Sequence, residues 1–453
     1  MIAGRHAARI VLAFSHRTTA TAAREDHLTD KEDVFAKCAW RLIPFMVLLY
    51  VLNYLDRVNV GFAALTMNQD LGLTPTIFGF GASLFFIGYM VFQVPSVLIL
   101  ERFGARRTVF WILLTWGAIS ASNALVQGET SFYAVRFLLG IAEAGFFPGM
   151  IYYLTLWFPP AYRARVNAYF YSGIPLAFVL GGPLSSLILQ MNGVGGLHGW
   201  QWLFILEGLP ACFLAFAALR LLPDGPRQAE WLTAEEKATI TSRLAADDKA
   251  EQRGLWTALL DPRVIALGMA YAGWQFGFYG LGLWLPQIVQ AMGISNFANG
   301  FITALPFLVS IVAMNLWSRS SDARDERIWH VVIPALVAAL GFAAASIAPS
   351  PVFVILALTV AASGLISYMP PFLSLPPTFL GGTAAAGGIG LVSSLGRIGA
   401  VLGPYVVGLL RETTGDYSTA MVAMALGQIL AAVIVLSLGR AIGRPKAALH
   451  PKI

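Results

Sequence analysis

Twelve apolar windows, each long enough to cross a bilayer, divide this 453-residue chain. They lie at about 41–66, 77–100, 108–127, 131–155, 165–190 and 202–222, then at 264–291, 298–317, 328–348, 351–371, 382–410 and 417–439. A spanning helix needs about 20 apolar residues, and in hydrocarbon every backbone N–H and C=O must be satisfied within the segment. The composition agrees: 57% of residues are hydrophobic and 12% charged, where a soluble domain carries about 25% charged residues. The expected class is an all-α integral membrane protein with twelve transmembrane helices in two six-helix bundles.

The net charge is +6, which in a soluble protein would invite a nucleic-acid reading. Placement argues against it. Of the 30 Lys and Arg, all but Arg57, Arg136, Arg397 and Arg411 lie in tails and loops on one side of the predicted spans. That bias predicts both termini and the central loop in the cytoplasm of a cell whose inner (plasma) membrane holds the protein. The domains expected are a cytoplasmic tail (1–40), a first bundle (41–222), a cytoplasmic linker (223–262), a second bundle (263–440) and a C-terminal tail (441–453). Residues 1–24 hold four arginines and no acid. Their apolar stretch, 10–14, is shorter than a secretory core of roughly 7–15 residues, so the expectation is a disordered tail or a start assigned too early.

The two halves resemble each other. Each carries a charged loop after its second span, ERFGARR (101–107) and SRSSDARDER (318–327). Six plus six spans about a polar linker is the pattern of parallel repeats. Within the linker, Thr233-x-x-Glu236 has the form of a capping box and predicts a surface helix. Glu101, Arg102, Arg106 and Arg107, with Asp322 and Arg324, are expected to act as cytoplasmic latches that stabilise one access state. Cys38 and Cys212 form no metal or disulfide pattern.

Several stretches carry a family resemblance: RLIPFMVLLYVLNYLDRVNVGFA (41–63), VPSVLILERFGARR (94–107), RFLLGIAEAGFFPG (136–149), YGLGLWLPQIV (279–289) and FLGGTAAAGGIGLVSSLGRIGAVLGPYVVG (379–408). The chain resembles the major facilitator superfamily, and within it the anion:cation symporter family of sugar-acid, tartrate and aromatic-acid permeases, from about residue 37 to 440. It departs from the family pattern at Val97, Glu101, Leu373 and Ser393 to Arg397. The resemblance implies proton coupling at Asp56 and Glu143, and substrate binding or gating at Arg57 and Arg136. The proton is the coupling ion; no other cofactor and no metal are implied.

The residues support that reading on their own terms. An ionised group at mid-bilayer costs at least about 2.5–3.5 kcal/mol, so such groups face a pathway or a partner. Asp56 and Arg57 interrupt the first span, Arg136 and Glu143 the fourth, and Arg397 the eleventh. Arg136 and Glu143 are seven residues apart, so they share one helix face about 10 Å apart along the axis. The plainer alternatives are a buried Asp–Arg strut and an Arg136 that anchors at the outer surface. Guanidinium offers a carboxylate a planar, bidentate fork, and a carboxylate can carry a proton. Tyr54, Tyr89, Tyr279 and Trp284 are candidates to hydrogen-bond or stack on a substrate, and Ser393 belongs to the same list. Arg397 would favour a dianion if it faces the substrate, and otherwise would only snorkel. Glu207 reads as a structural hydrogen-bond acceptor.

The function expected is proton-coupled symport of an organic anion by a monomer, through alternating access. A proton-independent facilitator or exchanger stays open beside it. An enzyme is not expected: the six histidines lie in tails or at span ends, and no lysine is followed by Ser or Thr, so no phosphate-binding loop exists. A receptor would lack any signalling domain.

Overall fold

The computed structural model describes residues 3–247, 261–376 and 382–442, and all its regular elements are helical. In chain order they are α1 (Ala3–Leu71), α2 (Pro75–Phe103), α3 (Ala105–Ser122), α4 (Glu129–Glu143), α5 (Phe146–Thr155), α6 (Pro160–Tyr171), α7 (Gly173–Leu189) and α8 (Gly199–Leu221). The linker helix α9 (Ala234–Asp247) follows. The second half holds α10 (Pro262–Gln290), α11 (Asn296–Arg324), α12 (Ile328–Ser346), α13 (Pro351–Leu373), α14 (Gly382–Thr414) and α15 (Ser418–Ile442). Linker residues 248–260 and the tail beyond 442 lie outside the described residues.

Every predicted span coincides with a helix. The fourth is split into α4 and α5, and the fifth into α6 and α7. Proline explains both breaks: it donates no N–H and clashes with the carbonyl four residues earlier. Four residues before Pro148 is Ala144, where α4 stops; four before Pro175 is Tyr171, the last residue of α6. The seventh span, α10, is as long as α2 but falls short of the apolarity that marks the other eleven. Its residues are mostly buried among other helices, so it needs no lipid-facing stripe.

The N-terminal segment corrects one expectation. The helix of the first span begins at Ala3 rather than after an unstructured tail. Between Gly4 and Pro44 the chain holds neither glycine nor proline, so nothing in that stretch breaks a helix. The part fit to cross a membrane is Val34–Leu71.

Packing repeats with a period of six spans. In the first half α3 lies on α8, α2 on α4, and α1 on α7 and α8; in the second, α12 lies on α15, α11 on α13, and α10 on α14 and α15. The halves meet along α2 with α14, α7 with α11, and α1 with α10. This is a two-bundle, twelve-helix fold with a pseudo-twofold relation between bundles.

Cross-bundle hydrogen bonds gather at the end away from the basic loops. Gln290 donates to the Leu65 carbonyl at 3.0 Å, Ser186 to the Asn296 carbonyl at 2.9 Å, and the Thr76 amide to Glu412 at 2.9 Å. Ser83 donates to the Val401 carbonyl. Here α7 and α11 touch through Gly182 and Gly300, and a Cβ on either would strike the other's carbonyl. At the basic end, the capping box is formed as predicted: Thr233 N–H donates to Glu236 at 2.7 Å and Glu236 N–H to Thr233 at 3.2 Å. Lys37 then ties this helix to α1 through Glu236 at 2.7 Å.

Candidate functional site

The buried polar groups of α1, α2, α4 and α14 meet where the bundles face each other. Glycine sets the α2–α4 approach: Gly140 lies against the Phe85 carbonyl and Gly88 against that of Phe137, with no room for a Cβ. The close crossing brings Arg136 and Glu143 onto α2 and α1. Glu143 is the last residue of α4, at the proline-induced break.

Glu143 is fully buried and its Oε2 accepts two bonds, from Asn53 Nδ2 at 2.8 Å and from Arg57 Nε at 2.9 Å. Asn53 and Arg57 are one turn apart on α1, so one face grips the carboxylate. Sequence reasoning missed Asn53, although an amide four residues before an intramembrane arginine was a readable signal.

Two rings of α2 carry the three guanidiniums. Phe85 has Arg136 at 5.0 Å and Arg57 at 5.6 Å from its centroid; Tyr89 has Arg57 at 4.9 Å and Arg397 at 4.4 Å. Arg57 also lies 5.1 Å from the Tyr54 ring. Phe85 and Tyr89 are four apart on one helix face, so α2 forms an aromatic rail for cations. Phe85 was not predicted, because an apolar ring on an apolar span carries no distinguishing mark.

Donors remain unused. Arg57 Nη2, Arg136 Nε and Nη1, and Arg397 Nε are buried with no hydrogen-bond partner among the described residues, and the Tyr89 hydroxyl is likewise unpartnered. Arg136 is only 1% exposed, so it is no surface anchor. Arg397 is buried and faces Tyr89 of the opposite bundle, and therefore does not snorkel.

Asp56 goes elsewhere. It accepts from Trp116 Nε1, Ser120 Oγ at 2.7 Å and Asn59 Nδ2 at 3.2 Å, against α3. The adjacent Asp56 and Arg57 therefore do not form a strut; the ion pair of Arg57 is with Glu143. Glu207 stands behind Asp56 on α8 and accepts from Ser185 at 2.9 Å, the structural role expected of it.

Tyr54 and Tyr279 are neighbours across the interface, and the Tyr279 ring lies 4.3 Å from Phe86. Ser393 is one turn from Arg397 on α14. Trp284 stands apart: it donates to the Pro404 carbonyl at 3.1 Å and meets Phe78 edge-on, within the sealed end. Of the latch residues, Glu101, Arg102, Arg106 and Arg107 are exposed. The Arg106 amide donates to Asp224 at 2.8 Å, in its own half rather than across the bundles. Asp322 pairs with Arg327 at 2.7 Å rather than with Arg324. Among the described residues, no group of three or more His, Cys, Asp or Glu could hold a metal ion.

Comparison with known proteins gives this geometry a family. The model of the Major Facilitator Superfamily matches residues 46–404. A protein of Agrobacterium vitis named "Putative tartrate transporter" is 47% identical over 421 residues, covering 91% of this chain and 92% of that protein. The "Inner membrane transport protein RhmT" of Escherichia coli K12 is 37% identical over 415 residues, covering 90% and 96%. Among solved structures, a bacterial homologue of the human lysosomal transporter Spinster, inward-facing and occupied, matches with a TM-score of 0.72 at 17% identity, covering 88% of this chain and 96% of that one. The last likeness concerns the fold alone; the first three place this chain in the Major Facilitator Superfamily of membrane transporters.

Proposed function

We propose that this transporter carries an organic anion in symport with protons. One observation carries the reading: Glu143 and an incoming carboxylate would compete for the same guanidinium, because Arg57 bonds Glu143 while Arg136 beside it keeps unused donors. The relative named for tartrate supports a carboxylate as cargo.

In this mechanism a proton from outside neutralises Glu143 and releases Arg57. Arg57 and Arg136 then take the substrate carboxylate as charge-assisted, bidentate partners. The loaded bundles rock about the interface, and deprotonation of Glu143 on the inner side reclaims Arg57 and expels the anion. Asp56 acts from the far side of α1: its protonation alters the hold of Trp116 and Ser120 on that helix, and so the position of Arg57. The site is complete within one chain, which suits a monomer.

The excess of Lys and Arg in the loops on one side supports placing that end in the cytoplasm of an inner membrane. The sealed end is then outside, and the conformation is closed to that side. The test is uptake into proteoliposomes. Glu143→Gln should keep counterflow exchange and lose accumulation driven by an inward proton gradient. Normal accumulation by this variant, or wild-type uptake indifferent to an uncoupler, would defeat the proposal in favour of facilitation or exchange.

A further inference from the structure

We propose that Arg397 makes the site selective for doubly charged anions, with the two carboxylates of one substrate divided between the two bundles. The inference rests on the anion reading above and narrows it to dicarboxylates.

The argument begins with charge. Three guanidiniums, Arg57, Arg136 and Arg397, are strung along Phe85 and Tyr89. A single carboxylate, Glu143, bonds any of them among the described residues. Asp56 is turned away toward α3, where Trp116 and Ser120 donate to it, and it also accepts from Asn59 on its own helix. Two cations therefore exceed the acids in contact with them. With Glu143 ionised, a monoanion would leave one guanidinium buried and uncompensated and a dianion would leave none. With Glu143 protonated and Arg57 released, a monoanion would leave two and a dianion one, and each uncompensated cation is costly where solvent is excluded.

Geometry then divides the work. Arg57 and Arg136 belong to the first bundle; Arg397, on α14, belongs to the second. Both Arg57 and Arg397 lie over the Tyr89 ring, so their guanidinium carbons are no further apart than the two ring distances together. That span is within reach of a short-chain diacid. Around Arg397 are the phenols of Tyr89, Tyr271 and Tyr279 and the guanidinium of Arg57, and among the described residues no carboxylate forms an ion pair with it. Its Nε is buried and unpartnered. One carboxylate on Arg136 and Arg57 and the other on Arg397 would link the bundles through the substrate. A monoanion can grip only one side.

The experiment measures binding to purified protein by thermal shift and calorimetry. The probes are malonate, succinate, tartrate, glutarate and adipate, each beside its own monoamide, which keeps the skeleton and removes one charge. Wild type should bind at least one diacid tenfold or more tightly than its monoamide. Arg397→Gln should lose that ratio, binding both members alike; Arg397→Lys should retain most of it; Arg57→Ala should lose both members. A wild-type protein that binds monoamides as well as diacids overturns this inference and leaves the organic-anion reading standing. So does a ratio that survives Arg397→Gln. If no carboxylate binds the wild type, both fail. The wild-type ratio needs no variant to fold.

Discussion

Asp56 and Arg57 are consecutive on α1, yet they keep different company. Asp56 is held by three donors on and beside α3, while Arg57 crosses to Glu143 on α4. One residue of helix is a rotation of about 100°, enough to send the acid into the first bundle's interior and the base toward the second bundle. The charge pair written in the sequence is thus two separate devices.

The separation predicts different phenotypes. Asp56→Asn should leave anion affinity within a few-fold of wild type while abolishing gradient-driven accumulation. Arg57→Ala should lose affinity itself, by about tenfold or more, since a charge-assisted hydrogen bond contributes about 1.5–3 kcal/mol. Ligand titration and proteoliposome uptake, run on both variants, check the split. Equal loss of affinity in the two would contradict it.

Arg136 should trade stability for function. Its Nε and Nη1 are buried without partners, and an unsatisfied buried donor costs about 1–3 kcal/mol. Arg136→Gln is expected to leave thermal stability in detergent unchanged or raised by about that amount, while uptake falls at least about tenfold. A destabilised variant would mean that Arg136 holds the fold together.

The glycine contact between α7 and α11 should govern the sealed end. A side chain at Gly300 meets the Gly182 carbonyl and Ser186; overpacking of this kind costs about 1–3 kcal/mol. Gly300→Val should shift the population toward the state open at that end. Asn68 of α1 donates to Gln287 of α10 at 3.4 Å within this seal; labelling of an Asn68→Cys reporter by a membrane-impermeant thiol reagent should then speed up, and an unchanged rate would count against the seal.

The linker helix should respond to acid. A hydrogen bond from Lys37 first, then one from the Thr233 amide, hold the Glu236 carboxyl below its ordinary range. A depressed carboxyl stabilises the folded arrangement fully above the ordinary glutamate value, about pH 4.3, and the stabilisation is lost as pH falls through the lowered one. Hydrogen exchange in 234–247 should therefore accelerate on acidification beyond the intrinsic change, and Glu236→Gln should remove that step and show faster exchange at neutral pH.

Much of this protein was legible before any coordinates. Span positions follow from apolar length, the breaks near Pro148 and Pro175 from the proline ring, and the start of α9 from Thr233 and Glu236. These are local properties, decided within a few residues of chain. The polar identities of Arg57, Arg136, Glu143 and Arg397 were legible too, because a charge in an apolar run stands out wherever it points.

Where each of them points was not legible. That Asp56 faces Trp116, that Trp284 belongs to the sealed end, that Phe85 and Tyr89 carry three cations, and that Arg397 reaches Tyr89 across the interface all depend on how helices far apart in sequence are rotated and brought together. The sequence by itself determined the spans, the repeat and the presence of buried charge, since lipid imposes those residue by residue. Only the tertiary structure decided which charges share a space, since a side chain's partner is set by the packing of other segments and not by its own neighbours in the chain.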